Sequence, residues 1–136
     1  MKNIIFALNL LSCLAPASAQ NERDSIDCRL DNCLKSNTSP DAQTQCLSIA
    51  REEWDNELTR VYQLLVQELK PDGQVTLKTA QEHWLEYRDA ERANIDAIYR
   101  MKQGSMFSPM QANECMELVR KRTNELREYV FLLKEM

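Results

Sequence analysis

The chain has 136 residues, with 17 Lys+Arg against 21 Asp+Glu and a formal net charge of −4. That acidic balance argues against nucleic acid as a partner, which usually demands a basic face, and suits a cationic protein, because opposite charge speeds encounter. The single histidine and the absence of paired Cys-x2-Cys spacing leave no zinc-type ligand set, so no metal and no cofactor is expected.

Residues 1–19 read as a cleavable secretory signal peptide. Lys2 supplies the positive start, Ile4 to Leu14 the short apolar run, and Ala17-Ser18-Ala19 the small-x-small processing site. The run is too short to span a bilayer, which needs about 20 residues. Cleavage is expected after Ala19, which places the protein in the periplasm or outside the cell. Leu10-Leu11-Ser12-Cys13 loosely resembles a lipoprotein processing box. The alternative is therefore a lipoprotein anchored at Cys13, and membrane attachment is expected only in that case.

Cleavage leaves residues 20–136, about 117 residues, the size of one ordinary domain. Loss of Lys2 moves the balance to roughly −5. Cys28, Cys33, Cys46 and Cys115 remain. An even count in a small exported domain reads as two disulfides, with three pairings open.

Residues 20–38 are polar without a sustained period, and are expected to form an irregular or short-helix N-terminal arm tethered by its cysteines. Residues 39–136 are expected to form a helical bundle. Ser39, Pro40 and Asp41 suit the cap and first turn of a helix. Its apolar stripe runs Cys46, Ala50, Trp54, Leu58, Val61, Tyr62, Leu65 and Leu69. Pro71-Asp72-Gly73 reads as the turn that follows.

A second helix is expected from about Val75 to about Gln103, with Leu77, Ala80, Trp84, Tyr87, Glu91, Ile95, Ile98 and Met101 on one face. Gly104 is its stop. Ser108-Pro109-Met110-Gln111 fits a capping box that opens a third helix. Its stripe is Cys115, Leu118, Val119, Leu126, Tyr129, Val130 and Leu133, and Arg122 on that face must snorkel or pair. The reading is all-α: three long helices in an up-down-up antiparallel bundle. In that order Cys46, Cys115 and the arm share one end.

No catalytic residue is expected, since no glycine-flanked nucleophile, phosphate-binding loop or metal spacing is present. Trp54 and Trp84 read as core with satisfied indole N–H groups, and His83 as a surface or half-buried residue. Arg88-Asp89 is either a partner-binding pair or a structural one in which Arg88 bridges to Asp55 or Glu57; the packed neighbourhood of Trp84 and Tyr87 favours the second. The connection from Gln103 to Pro109 sets apolar Met106 and Phe107 in a polar stretch, with Met110 just beyond. Gly104, Ser105, Met106 and Phe107 are the candidate partner-binding residues, against a plainer role of closing the bundle end.

One stretch, Leu77-Lys78-Thr79-Ala80-Gln81-Glu82-His83-Trp84-Leu85-Glu86-Tyr87-Arg88-Asp89, carries a specific pattern. Gly104-Ser105-Met106, Cys115 and Arg122-Thr123-Asn124-Glu125-Leu126 follow it; Asp27-Cys28, Gln45-Cys46 and Trp54-Asp55-Asn56-Glu57-Leu58 precede it. In this order and spacing the chain resembles the lysozyme inhibitor LprI-like family of bacterial envelope proteins, over nearly all of the mature chain. The most specific part holds Gln81, Trp84, Tyr87, Arg88 and Asp89. The resemblance implies a protein partner, a cationic lysozyme-type muramidase, bound and inhibited; the alternative is a periplasmic interaction or immunity protein with a different protein target. Two departures stand out. Where family members carry a Cys level with Cys115, this chain has Arg92, and Gln103 replaces a glycine before Gly104. With Cys33 taking the place of the missing partner, the resemblance implies the pairs Cys33–Cys115 and Cys28–Cys46.

Overall fold

The computed structural model describes residues 19–135, with side chains from Ser25 onward. The expected leader up to residue 18, including Cys13, lies outside the described residues. The described residues form four helices: α1 Ala19–Ser36, α2 Pro40–Glu68, α3 Pro71–Tyr99 and α4 Phe107–Lys134. All are α-helical, with no strand among the described residues.

The helix count corrects the expectation of three. The arm, expected as an irregular or short-helix segment, is an 18-residue helix. Ile26, Leu30 and Leu34 recur every four residues and pack on the core. Polar residues between them hide that stripe in the sequence.

Ser39 caps α2 as expected: its Oγ accepts the Ala42 N–H at 3.3 Å. The expected turn at Pro71-Asp72-Gly73 is not there. The chain reverses within Leu69 and Lys70, both extended, and Pro71 is already helical. Proline constrains the residue before it to extended backbone while fitting the first helical position itself. Gln74 Nε2 then donates to the Val66 and Leu69 carbonyls at 2.9 and 3.0 Å, capping the end of α2.

The α3–α4 connection is also redrawn. α3 stops at Tyr99, earlier than Gln103, and α4 starts at Phe107, so Ser108 is inside the helix and caps nothing. Gln111 serves a different role, donating from Nε2 to Asp96 Oδ1 at 2.6 Å across the hairpin.

The core lies between α2 and α4. Thr123 Oγ1 approaches the Trp54 carbonyl, Arg127 meets Glu57, and Lys134 meets Glu68. Both chains climb together through these pairs, so the two helices run side by side in the same direction. Trp54, Val61, Leu65, Met116, Val119 and Leu126 fill the space between them. α3 runs opposite to α4, as the Gln81–Arg122 and Asp96–Gln111 pairs show. α1 lies on α2, held by an Arg29–Glu53 ion pair at 2.9 Å, and reaches α4 through Asp27–Arg120 at 3.0 Å.

α3 is the outlier. Only Leu77 and Ile95 are buried. Ala80, Tyr87, Ile98 and Met101, expected on its packed face, are exposed, as is Tyr129 of α4. The sequence stripe is apolar enough to pack, but α3 is held mainly through side-chain polar and ring contacts, and a groove remains beside it.

One buried ionic cluster crosses the core. Glu57 accepts from Arg60 at 2.6 and 2.7 Å and from Arg127, whose guanidinium lies 5.3 Å from the centre of the Trp54 ring. Burial alone would push the Glu57 carboxyl up; hydrogen bonds from Arg60 and Arg127 outweigh it and hold it below the usual carboxylate value. Trp54 is fully buried, yet its Nε1 finds no acceptor among the described residues, contrary to expectation.

The disulfide pairing implied by the resemblance is overturned. Cys33 pairs with Cys46, with Cα atoms 5.8 Å apart. Cys46 is therefore not the partner of Cys28, and Cys115 is free and buried rather than bonded to Cys33. The reason is the α1–α2 hairpin: reversal through Asn37, Thr38 and Ser39 sets Cys33 opposite Cys46, whereas Cys115 faces Arg92 and Arg51.

Candidate functional site

The connection between α3 and α4 is built of tight turns. Gly104 has φ +107°, a conformation that disfavours any residue with a Cβ. The Phe107 N–H donates to the Gly104 carbonyl at 3.3 Å and the Ser108 N–H to the Ser105 carbonyl at 3.1 Å. Gly104, Ser105 and Met106 are thereby held at the surface, while Phe107 is half-buried. Met101, Met106 and Met110 are exposed around the same end.

These side chains do not stand alone. Met106 and Met110 form one wall of a groove of about 430 Å³, with Tyr99, Leu34 and Leu47 on the other sides. Leu34 and Leu47 adjoin the two cysteines of the Cys33–Cys46 bridge, so the disulfide fixes the wall contributed by α1 and α2. Of the four predicted loop residues, only Met106 lines the groove. The residues missed from sequence are Leu34, Leu47 and Tyr99. Leu34 was concealed in the arm; Leu47 and Tyr99 lie one residue off the stripes read for their helices, next to Cys46 and Ile98.

Cys115 lines a separate, smaller cavity of about 260 Å³ with Arg51, Asp96, Ser108 and Gln111. Burial, and then the Asp96 carboxylate, push its thiol up, against the opposing pull of Arg92 and Arg51. The thiol therefore stays protonated at neutral pH and is a poor nucleophile.

The Gln81–Asp89 motif forms a separate cluster. Trp84 lies between two guanidinium groups, with Arg88 at 5.6 Å and Arg122 at 6.0 Å from its ring centre. Arg122 donates to Gln81 Oε1 at 3.1 Å and to Glu125 Oε2 at 2.7 Å, so it is paired, as its place on the packed face required. Arg88 donates twice to Asp89, at 2.9 and 2.8 Å, and faces Asp55 at 3.9 Å. The structural reading of Arg88 through Asp55 thus has a geometric basis; Glu57 is engaged elsewhere. Tyr87 projects into solvent, and His83 lies at the surface beside Glu86.

Together these features describe an all-helical protein with a disulfide-braced apolar end and, among the described residues, no grouping of His, Cys, Asp and Glu that could hold a metal. The lysozyme inhibitor LprI family model matches residues 33–126, and the chain belongs to that family. The match takes in both cysteines of the bridge, the Trp84 cluster and the α3–α4 connection. A crystal structure of an uncharacterised protein from Burkholderia thailandensis is similar, with a TM-score of 0.75 and 29% identity over 81% of this chain. That match covers 55% of the other protein, so the chain spans little more than half its length. No curated protein matches the chain at a significant level.

Proposed function

We propose that this chain is an exported inhibitor of lysozyme-type muramidases, released from its leader after Ala19 and active in the periplasm or outside the cell. The reading rests on family membership, and the observation that carries the site is the apolar groove at the α3–α4 connection. Met106 and Met110 stand exposed beside Tyr99 and Leu34 on a frame braced by a disulfide. Flexible thioethers adapt to a partner's contours, and the rigid frame beneath them confines the ordering cost to the side chains. The acidic net charge favours encounter with a cationic muramidase. An exposed methionine at this end can block a cleft without chemistry, by occupying the volume that the glycan strand needs.

The test is a lysis assay in which purified residues 20–136 are titrated against muramidases of several structural types on a peptidoglycan suspension. Saturable loss of lysis with at least one type is expected. Undiminished lysis by every type at large molar excess removes the proposal.

A further inference from the structure

A groove of about 690 Å³ separates α2 from α3, within the size range of small-ligand sites. It is distinct from the methionine-lined groove at the bundle end. Tyr62 and Leu58 of α2 and Leu85 of α3 give it apolar surface, beside the hydrogen-bonding side chains Thr59 and Gln81.

Its charges are unevenly paired. Lys78 is engaged with Glu82 at 3.8 Å. Asp55 is shared between Arg88 and Arg92, 3.9 Å from each. Both separations exceed hydrogen-bond length, so Asp55 satisfies neither guanidinium. Arg88 has a second acid in Asp89, but Arg92 has none: its Nε and Nη2, and Nε of Arg51, find no acceptor among the described residues. Burial, and then repulsion from Arg88, hold the Arg92 guanidinium below its ordinary value despite Asp55. A quarter of the Arg92 side chain (25%) remains exposed and the residue lines the groove, although its Nε and Nη2 are themselves buried. Two acids thus face the two arginines, but Arg92 meets its own only at 3.9 Å, and its Nε and Nη2 remain without an acceptor among the described residues.

We propose that the α2–α3 groove binds an acidic saccharide, with a sugar ring against Tyr62 and Leu85 and its carboxylate received by Arg92 and Arg88. A guanidinium matches a carboxylate in shape as well as charge. The adjoining aromatic, aliphatic and hydroxyl- or amide-bearing side chains match the mixed apolar face and polar edge of a pyranose better than an acidic peptide. The inference does not depend on a muramidase being the target.

The experiment is a calorimetric titration of the full mature chain with N-acetylmuramic acid, N-acetylglucosamine and D-lactate. The two sugars differ by the lactyl carboxylate, and lactate supplies that carboxylate without the ring. The expected result is saturable binding of N-acetylmuramic acid, at least tenfold weaker binding of each other ligand, and about tenfold weaker binding by Arg92→Gln. Lys78→Glu, at an exposed position, keeps the test valid if Arg92→Gln fails to fold; it should also weaken N-acetylmuramic acid. Absence of binding, equal binding of the two sugars, lactate binding as tightly as the acidic sugar, or unchanged affinity in the folded variants would overturn the proposal.

Discussion

Glu57 and Arg127 show how a buried pair constrains a helical core. Their side chains are 1% and 9% exposed, so neither can fall back on solvent if the other is removed. Arg127→Ala should destabilise the protein by about 3 kcal/mol in urea denaturation, because it leaves a buried carboxylate short of a partner. Replacing both, as Glu57→Leu/Arg127→Met, should cost less than the single change. The pH dependence follows with a definite sign. The folded Glu57 pKa is below its ordinary 4.5, so its contribution is present above that value and is lost as pH falls through the folded pKa. Glu57→Gln should flatten the acid limb of a stability–pH curve; an unchanged limb would contradict this assignment. The sequence marks Trp54 as core through its spacing, but not Glu57. A glutamate one turn from a tryptophan looks like a solvated charge until Arg127, seventy residues away, is known to lie opposite.

At the scale of elements, the long helices were legible and their ends were not. Period locates α2 and α4, because both bury most of their stripe, and the Ser39 cap marks the start of α2. Prolines were harder to read: Pro71 marks the first turn of α3, not a turn between helices, and only the extended backbone of Lys70 decides it. α1 escaped because, among the described residues, Ile26, Leu30 and Leu34 are the leucines and isoleucine it packs on the core, set among polar neighbours. The Cys33–Cys46 bridge spans a sequence separation of 13 and ties α1 to α2. Its removal by Cys33→Ala/Cys46→Ala should destabilise by about 2–3 kcal/mol, with amide exchange rising first in the second half of α1. Exchange that stays slow there would show that packing alone docks the helix. At the α3–α4 connection, Gly104→Ala meets no neighbour within 4 Å, so its cost is purely one of backbone conformation: about 1–3 kcal/mol, read as a lowered melting temperature.

Over the whole molecule, two helices carry the core and a third, α3, rests against them through arginines, a tryptophan and amides. That division explains why the candidate site was only half visible in sequence. Met106 is conspicuous as an apolar residue in a polar connection. Its groove also takes Leu34, Leu47 and Tyr99 from three other elements, the first two braced by a disulfide whose pairing the resemblance did not give correctly. The same architecture places a second apolar patch, around Phe131 and Leu132, far from the connection near the end of α4. The two ends thus offer an internal control. Inhibition of a muramidase that responds to the wild-type chain should be measured for Met106→Glu and for Phe131→Glu, each checked for an unchanged melting temperature. Met106→Glu should lose at least tenfold in inhibitory potency while Phe131→Glu keeps wild-type potency; full potency in Met106→Glu, or loss confined to Phe131→Glu, would show that the α3–α4 end is not the inhibitory surface.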